Sequence, residues 1–335
     1  MAVEILESCM VTPGEAATPK HGVWLSNLDL LVARSHTPTV YVYRPSPGPA
    51  FFSPDVLKAA LSKVLVPFYP LAGRLGRDGA GRPEIHCAGE AAPRPWLDRT
   101  LLRARSPPAV RFDHAEYSRR GGGGSKVPFD SAILPVSKAQ IDALKAGKKL
   151  STFKAVVAHV WRCACKARGL AATEDTRLYM TADARSRVRP PLPEGYLGNA
   201  IFRASTVAKV GDVVSEPLDA AADRISGATA RLDDEYIRSL VDHLEQAVSD
   251  AAGLRKGEWV MPETDLWVIS WQGLPIYDAD FGWGRPAFMN RACLQFSGLV
   301  YLVPGPDGDG RLDVVVAMEP KSLARFKELL YEELK

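Results

Sequence analysis

At 335 residues the chain has room for about two domains, and its 46% hydrophobic and 24% charged residues place it with soluble globular sequences rather than disordered or fibrous ones. A formal net charge of +3 with no basic run at either end excludes the electrostatic footprint of a nucleic-acid binder. Five cysteines with uneven spacing argue against a disulfide framework. With no signal pattern in Met1-Ala-Val-Glu-Ile5 and no apolar stretch near the ~20 residues that span a bilayer, a cytoplasmic location off the membrane is expected.

Along the chain, Thr37-Pro-Thr-Val-Tyr-Val-Tyr43 predicts a strand entered through a proline. Ser53-Pro54-Asp55 supplies an N-cap, a first-turn proline and an N-terminal acid. The helix they open carries Val56, Leu57, Ala60, Leu61, Val64 and Leu65 at helical spacing and is stopped by Pro67 and Pro70. Pro83-Glu-Ile-His-Cys87 reads as a short strand. Residues 93–127 have the Pro, Arg and Gly content of a linker. Their Gly121 to Gly124 run, followed by Ser125-Lys126, lacks the spacing of a phosphate loop.

A second patterned region opens with the capping box Ser137-x-x-Gln140. Ser151 starts a longer helix with the stripe Phe153, Val156, Val157, Val160, Trp161 and Ala164, ending at Gly169. Residues 178–182 and 265–271 read as strands, and residues 215–245 as helix in two pieces. Residues 298–303 and 311–317, joined by Gly305-Pro-Asp-Gly-Asp-Gly310, predict a hairpin, and residues 321–334 a closing helix. Strands and helices mix without strict alternation, which favours an α/β architecture with mixed sheets.

Residue chemistry alone names no reaction. Cys163 and Cys165 sit two apart on a predicted helix without a second Cys/His pair, so no zinc or other metal site follows. Of the six histidines, His159 lies at the edge of its helix's apolar stripe as a packed or boundary residue. His243 falls on a solvated acidic helix, and His21, His36, His86 and His114 stand in strand or loop sequence. One stretch is unusual: Ser270-Trp-Gln-Gly-Leu-Pro-Ile-Tyr-Asp-Ala-Asp-Phe-Gly-Trp-Gly284, followed by Arg285-Pro286. Gly282 and Gly284 allow a tight path around Trp283, and an Asp280–Arg285 ion pair is expected to pin the loop.

Asp280-Phe-Gly-Trp-Gly284 resembles the signature of the plant BAHD acyl-CoA-dependent acyltransferases. Thr18-Pro-Lys-His-Gly-Val-Trp24, His36-Thr-Pro-Thr-Val-Tyr41, Tyr69-Pro-Leu-Ala-Gly-Arg-Leu75 and Ala158-His-Val-Trp-Arg162 agree with it. So do Arg185-Ser-Arg187 and Pro190-Pro-Leu-Pro-Glu-Gly-Tyr-Leu-Gly-Asn199, in family order, and the N-terminal stretch is similar to the hydroxycinnamoyl-CoA transferase branch. The resemblance implies a two-domain chloramphenicol acetyltransferase-like fold, here with an incomplete N-terminal domain over residues 1–92. A crossover linker would follow at 93–130, then a C-terminal domain at 131–335 containing the Asp280 loop.

It further implies a monomer with no cofactor, which takes an acyl-CoA as co-substrate and a small alcohol or amine as acceptor. By the same resemblance Tyr196, Gly198, Asn199, Ser270, Trp271 and Gly273 are substrate-binding. Asp280 belongs to the family motif in a structural capacity, with Gly282, Trp283, Gly284 and Arg285 shaping its loop. Gly273 stands where shikimate and quinate transferases carry an arginine for the acceptor carboxylate, so an acceptor without a carboxylate is expected.

In such enzymes the histidine of an H-x-x-x-D motif takes the acceptor proton. None of the six histidines here is followed by Asp four positions on; the residues found are Leu25, Val40, Glu90, Ser118, Cys163 and Ala247. An internal deletion of roughly a hundred residues, between the counterparts of Gly89-Glu90 and Ala92-Pro93, accounts for this. The chain is therefore expected to be inactive or severely impaired as an acyltransferase; the alternative is a non-catalytic remnant that binds CoA esters or a partner.

Overall fold

A computed structural model describes residues 9–14, 18–31, 37–45, 47–48, 51–88, 128–249 and 261–334. The chain divides into two compact units, each assembled from separated stretches. Unit 1 comprises Met1–Val32, Tyr43–Arg111 and Asp278–Arg285; unit 2 comprises Ala33–Val42, Phe112–Tyr277 and Pro286–Lys335. The expected crossover linker at 93–130 lies, up to residue 127, outside the described residues. Asp278–Arg285 groups with unit 1 because Phe281 and Trp283 pack against Tyr43, and Trp283 also against Phe51 and Phe52. The strand at Thr39–Val42 groups with unit 2 because it pairs with Phe288–Arg291.

Unit 1 holds β1 (Gly22–Trp24), β3 (Arg74–Arg77) and β4 (Pro83–His86) in a three-stranded antiparallel sheet of order β1-β4-β3. It also holds α1 (Asn27–Leu31) and α2 (Pro54–Val64). Helix α2 starts where the sequence predicts, with Ser53 in extended backbone and Pro54 in the first turn. Its last helical residue, Val64, precedes both prolines.

Unit 2 is built on a six-stranded mixed sheet of order β5-β11-β10-β8-β6-β7. Its strands are β5 (Asp130–Val136), β6 (Asp175–Asp183), β7 (Ile201–Lys209), β8 (Leu266–Ser270), β10 (Leu299–Pro304) and β11 (Leu312–Met318). Strand β8 runs parallel to β6 and β10, while the other neighbours are antiparallel. A separate ribbon pairs β2 (Thr39–Val42) with β9 (Phe288–Arg291). The predicted hairpin is β10 and β11, whose residues are nearly all buried, as suits strands covered on both faces.

Helices α3 (Lys138–Lys145) and α4 (Thr152–Arg168) begin at the predicted caps. Ser137 and Gln140 form both halves of the capping box, and Ser151 Oγ accepts from the Lys154 amide. Gly169, at φ +64°, ends α4 in the left-handed conformation that glycine adopts without a Cβ clash. Helix α4 is more central than its stripe implies, since every residue from Ala155 to Trp161 is buried. His159 is therefore 1% exposed, deep in the core and not at its edge.

The region expected as helix in two pieces over 215–245 forms α6 (Leu218–Ala230) and α7 (Asp234–Ser249), preceded by the short α5 (Val210–Ser215), and α8 (Pro320–Glu332) closes the chain. Strand β7 has no clear sequence signal: its inward residues include small Ala204 and Ala208 beside Phe202, which weakens the alternation.

Candidate active site

Three sequence-predicted groups fall in described residues. In unit 1, the Asp280 loop is shaped by its own backbone. Asp280 Oδ1 accepts hydrogen bonds from the amides of Gly282 at 2.8 Å and Gly284 at 3.0 Å. Both glycines have positive φ, +94° and +100°, so the tight path does require residues without a Cβ. Trp283, carried between them, stacks on Phe52 at 5.5 Å between ring centroids and at 19°. The Tyr43 hydroxyl donates to the Ala279 carbonyl at 2.6 Å. One expectation is corrected: Arg285 forms its ion pair with Asp278, at 2.7 Å. Asp280 instead turns its Oδ1 to the two amides, which the glycine geometry brings back over the carboxylate.

In unit 2, Ser270 closes β8 and its Oγ accepts from the Gln272 amide at 3.2 Å. Trp271 extends the pairing by donating its amide to the Leu302 carbonyl at 2.8 Å, and its ring meets Tyr301 edge-on at 5.1 Å. Gly273 is exposed at φ +79°, the third residue of a turn in which the Leu274 amide donates to the Trp271 carbonyl. That is the conformation of a type II turn, so the chain has a backbone reason for glycine here.

Tyr196, Gly198 and Asn199 form the turn before β7. Arg185 organises them: its Nη2 donates to the Gly198 carbonyl at 2.9 Å, its Nη1 pairs with Asp183 at 3.0 Å, and its guanidinium lies 6.0 Å from the Tyr196 ring centre. Asn199 Oδ1 caps the strand by accepting from the Ile201 amide. Unit 2 thus contains the Ser270 and Tyr196 groups, and unit 1 the Asp280 loop.

His159 Nε2 lies 2.9 Å from the Leu330 carbonyl and Nδ1 lies 3.6 Å from Glu333, and burial pushes its pKa down. It is a structural histidine. His86 pairs with Glu84 at 2.7 Å on β4, His21 lies near the Tyr69 ring, and His243 is on the exposed side of α7. His36, His114, Glu90 and the Gly121 to Lys126 run lie outside the described residues. Two thiols on α4 are held back as nucleophiles: burial pushes Cys163 up to about 12 and Cys165 up to about 11. Among the described residues no group of three His, Cys, Asp or Glu is placed to hold a metal ion, and no helix is long and apolar enough to cross a membrane.

One cluster was not singled out from the sequence. Arg291, on β9, is buried against Tyr301 of β10, which in turn carries Trp271 on its edge. Its only trace in the sequence is a lone charge in the run Ala287-Phe-Met-Asn-Arg-Ala-Cys-Leu294.

The Transferase family model matches residues 1–93 and 94–333. Putrescine hydroxycinnamoyltransferase 1 of Oryza sativa subsp. japonica is 62% identical over 445 aligned positions, taking in 100% of this chain and 100% of that protein. Shikimate O-hydroxycinnamoyltransferase of Nicotiana tabacum is 35% identical over 436 positions, taking in 99% and 100%. Among solved structures, vinorine synthase superposes with a TM-score of 0.67 at 18% identity over 96% of each chain. The F. graminearum TRI101 structure with coenzyme A and deoxynivalenol does so at 0.52 and 22%, over 61% of this chain and 48% of that one. At these identities the structural matches speak for the fold.

Proposed function

The chain belongs to the Transferase family, the BAHD acyl-CoA-dependent acyltransferases, and from that membership we propose that its reaction by descent moves a hydroxycinnamoyl-type acyl group from CoA to a small amine. The fold is the chloramphenicol acetyltransferase-like one of that family. The observation that carries the reading is the 62% identity to a putrescine hydroxycinnamoyltransferase along the whole of both chains. Gly273 supports it from within this chain: a glycine in a type II turn offers no guanidinium to an acceptor carboxylate, and an amine needs none. In the forward step the amine nitrogen attacks the thioester carbonyl, its proton passes to a base, and CoA leaves as the thiol.

We further propose that the chain as it stands lacks that base. No histidine is followed by Asp four residues on. The break in the family match between residues 93 and 94 falls beside the expected deletion, and the alignment to the rice relative runs over 445 positions where this chain has 335 residues. A positioned base contributes about 10²- to 10⁴-fold, so turnover with p-coumaroyl-CoA and putrescine should lie below that of the rice relative by at least that factor. Turnover of the purified chain within tenfold of the relative refutes the loss.

The second reading, a non-catalytic binder of CoA esters, is favoured by the same absent base; a CoA titration without turnover would support it. Genomic sequence between the codons for Gly89 and Ala92 discriminates further. An in-frame insert encoding H-x-x-x-D would make the deletion a matter of splicing, and its absence a property of the gene.

A further inference from the structure

Arg291 is 2% exposed, and among the described residues no carboxylate contributes to its electrostatic surroundings. Its Nη1 donates to the Tyr301 hydroxyl at 2.9 Å and its Nη2 to the Cys293 carbonyl at 3.3 Å, and the guanidinium lies 4.7 Å from the centre of the Tyr301 ring. Nε is buried without a hydrogen-bond partner among the described residues. Leaving a buried N–H of a charged group unmade is costly, and a ligand atom that accepts from it removes the penalty.

The surroundings narrow the ligand. The Tyr301 ring contacts both the guanidinium and, in a T-shaped pair at 5.1 Å, the Trp271 ring, so aromatic surface and a cationic donor lie together. Across the ribbon, Thr39 is the register partner of Arg291 and is exposed, so solvent reaches to within one cross-strand pair of the guanidinium.

We infer that Arg291 is a specificity residue that binds the ring oxygen of an aryl acyl group, the para-hydroxyl of a hydroxycinnamoyl thioester. The inference rests on the acyl-transfer reading above. Under that reading the other substrate is an amine that arrives protonated and is repelled by a fixed guanidinium, and on the acyl donor the aryl end suits the Tyr301 and Trp271 rings better than the phosphates of CoA do. A phenolic oxygen accepts from Nε–H, beside the Tyr301 ring. As a neighbour of a cation it also ionises more readily than in water.

The test is isothermal titration of the full chain with p-coumaroyl-CoA, with cinnamoyl-CoA, which lacks the ring oxygen, and with CoA alone. A hydrogen bond to a charged donor predicts that p-coumaroyl-CoA binds about tenfold more tightly than cinnamoyl-CoA. R291M should bring the ratio close to one, and R291K should restore much of it. As a second readout, the long-wavelength absorbance of bound p-coumaroyl-CoA should titrate at lower pH than that of the free thioester. Should R291M fail to fold, the wild-type ratio and the absorbance titration decide alone. Equal binding of the two thioesters overturns the assignment and leaves acyl transfer standing. If neither thioester binds better than CoA, the acyl-donor reading itself falls and takes the assignment with it. A preference for shikimate that vanishes in R291M would assign Arg291 to a carboxylate instead and overturn the inference.

Discussion

Asp280 Oδ1 holds its loop through two amide hydrogen bonds, and Asp280→Ala tests how firmly. The substitution removes one oxygen that accepts two amide hydrogens, from Gly282 at 2.8 Å and Gly284 at 3.0 Å. Asp280 is exposed, so each bond is taken at the low end of the range, about 0.5 to 1 kcal/mol net. Together they hold the loop by about 1 to 2 kcal/mol, a factor of roughly 5 to 30 in the opening equilibrium. The assay is native-state hydrogen exchange at the two glycine amides, since local opening is what it reads. Asp280→Ala should accelerate exchange at both by that factor. Asp280→Asn keeps a side-chain carbonyl at the same reach and should stay within about threefold of wild type. Exchange unchanged in Asp280→Ala, or an Asn variant as fast as the Ala one, refutes loop-holding by this oxygen.

Three further outcomes are expected. Gly298→Ala should lower the stability of unit 2 by at least about 1 to 2 kcal/mol in urea unfolding, because Gly298 sits at φ +87° and an added Cβ would lie 2.8 Å from the Asp265 carbonyl oxygen; an unchanged midpoint would contradict this. Burial holds the pKa of His159 below the ordinary 6.5, so the unfolded chain takes up more protons beneath that pH. Stability should be full above 6.5 and decline as pH falls below it. His159→Gln should flatten that part of the urea midpoint against pH, and identical slopes in the two proteins would count against it. Finally, iodoacetamide should label exposed Cys9 in the native protein and spare Cys163 and Cys165, whose thiols are buried and shifted far upward, until the chain is unfolded; native labelling of either, read by peptide mass spectrometry, would show that α4 opens.

Much of the architecture is legible in the sequence wherever a local signal coincides with the tertiary outcome. The Ser137 box, the Ser151 cap, the Gly169 stop and the hairpin at residues 299–318 are of this kind, since caps and turns are decided within a few residues. Strand β7 is not legible, because alanines take the inward positions that a β-branched or aromatic residue would advertise. Pairing of β2 with β9 is equally hidden: Thr39 and Arg291 are separated by most of the chain, and no local pattern encodes a partner at that distance. Within the candidate site the Asp280 loop could be read from its glycines, but the partner of Arg285 could not. Asp278 and Asp280 are both within reach in sequence, and only the backbone path decides between them. Arg291 is not legible in the sequence because burial is a property of the assembled ribbon and sheet and not of its neighbours in the run.

The composition of unit 1 sets an order of events during synthesis. Tyr43, Phe51 and Phe52 leave the ribosome early, whereas Phe281 and Trp283, the rings they pack against, follow only after most of unit 2 has been made. At about 5 to 20 residues per second, the early aromatics wait on the order of ten seconds or more for their partners. Over that interval the nascent chain carries an uncovered aromatic surface, and chaperone demand should peak there.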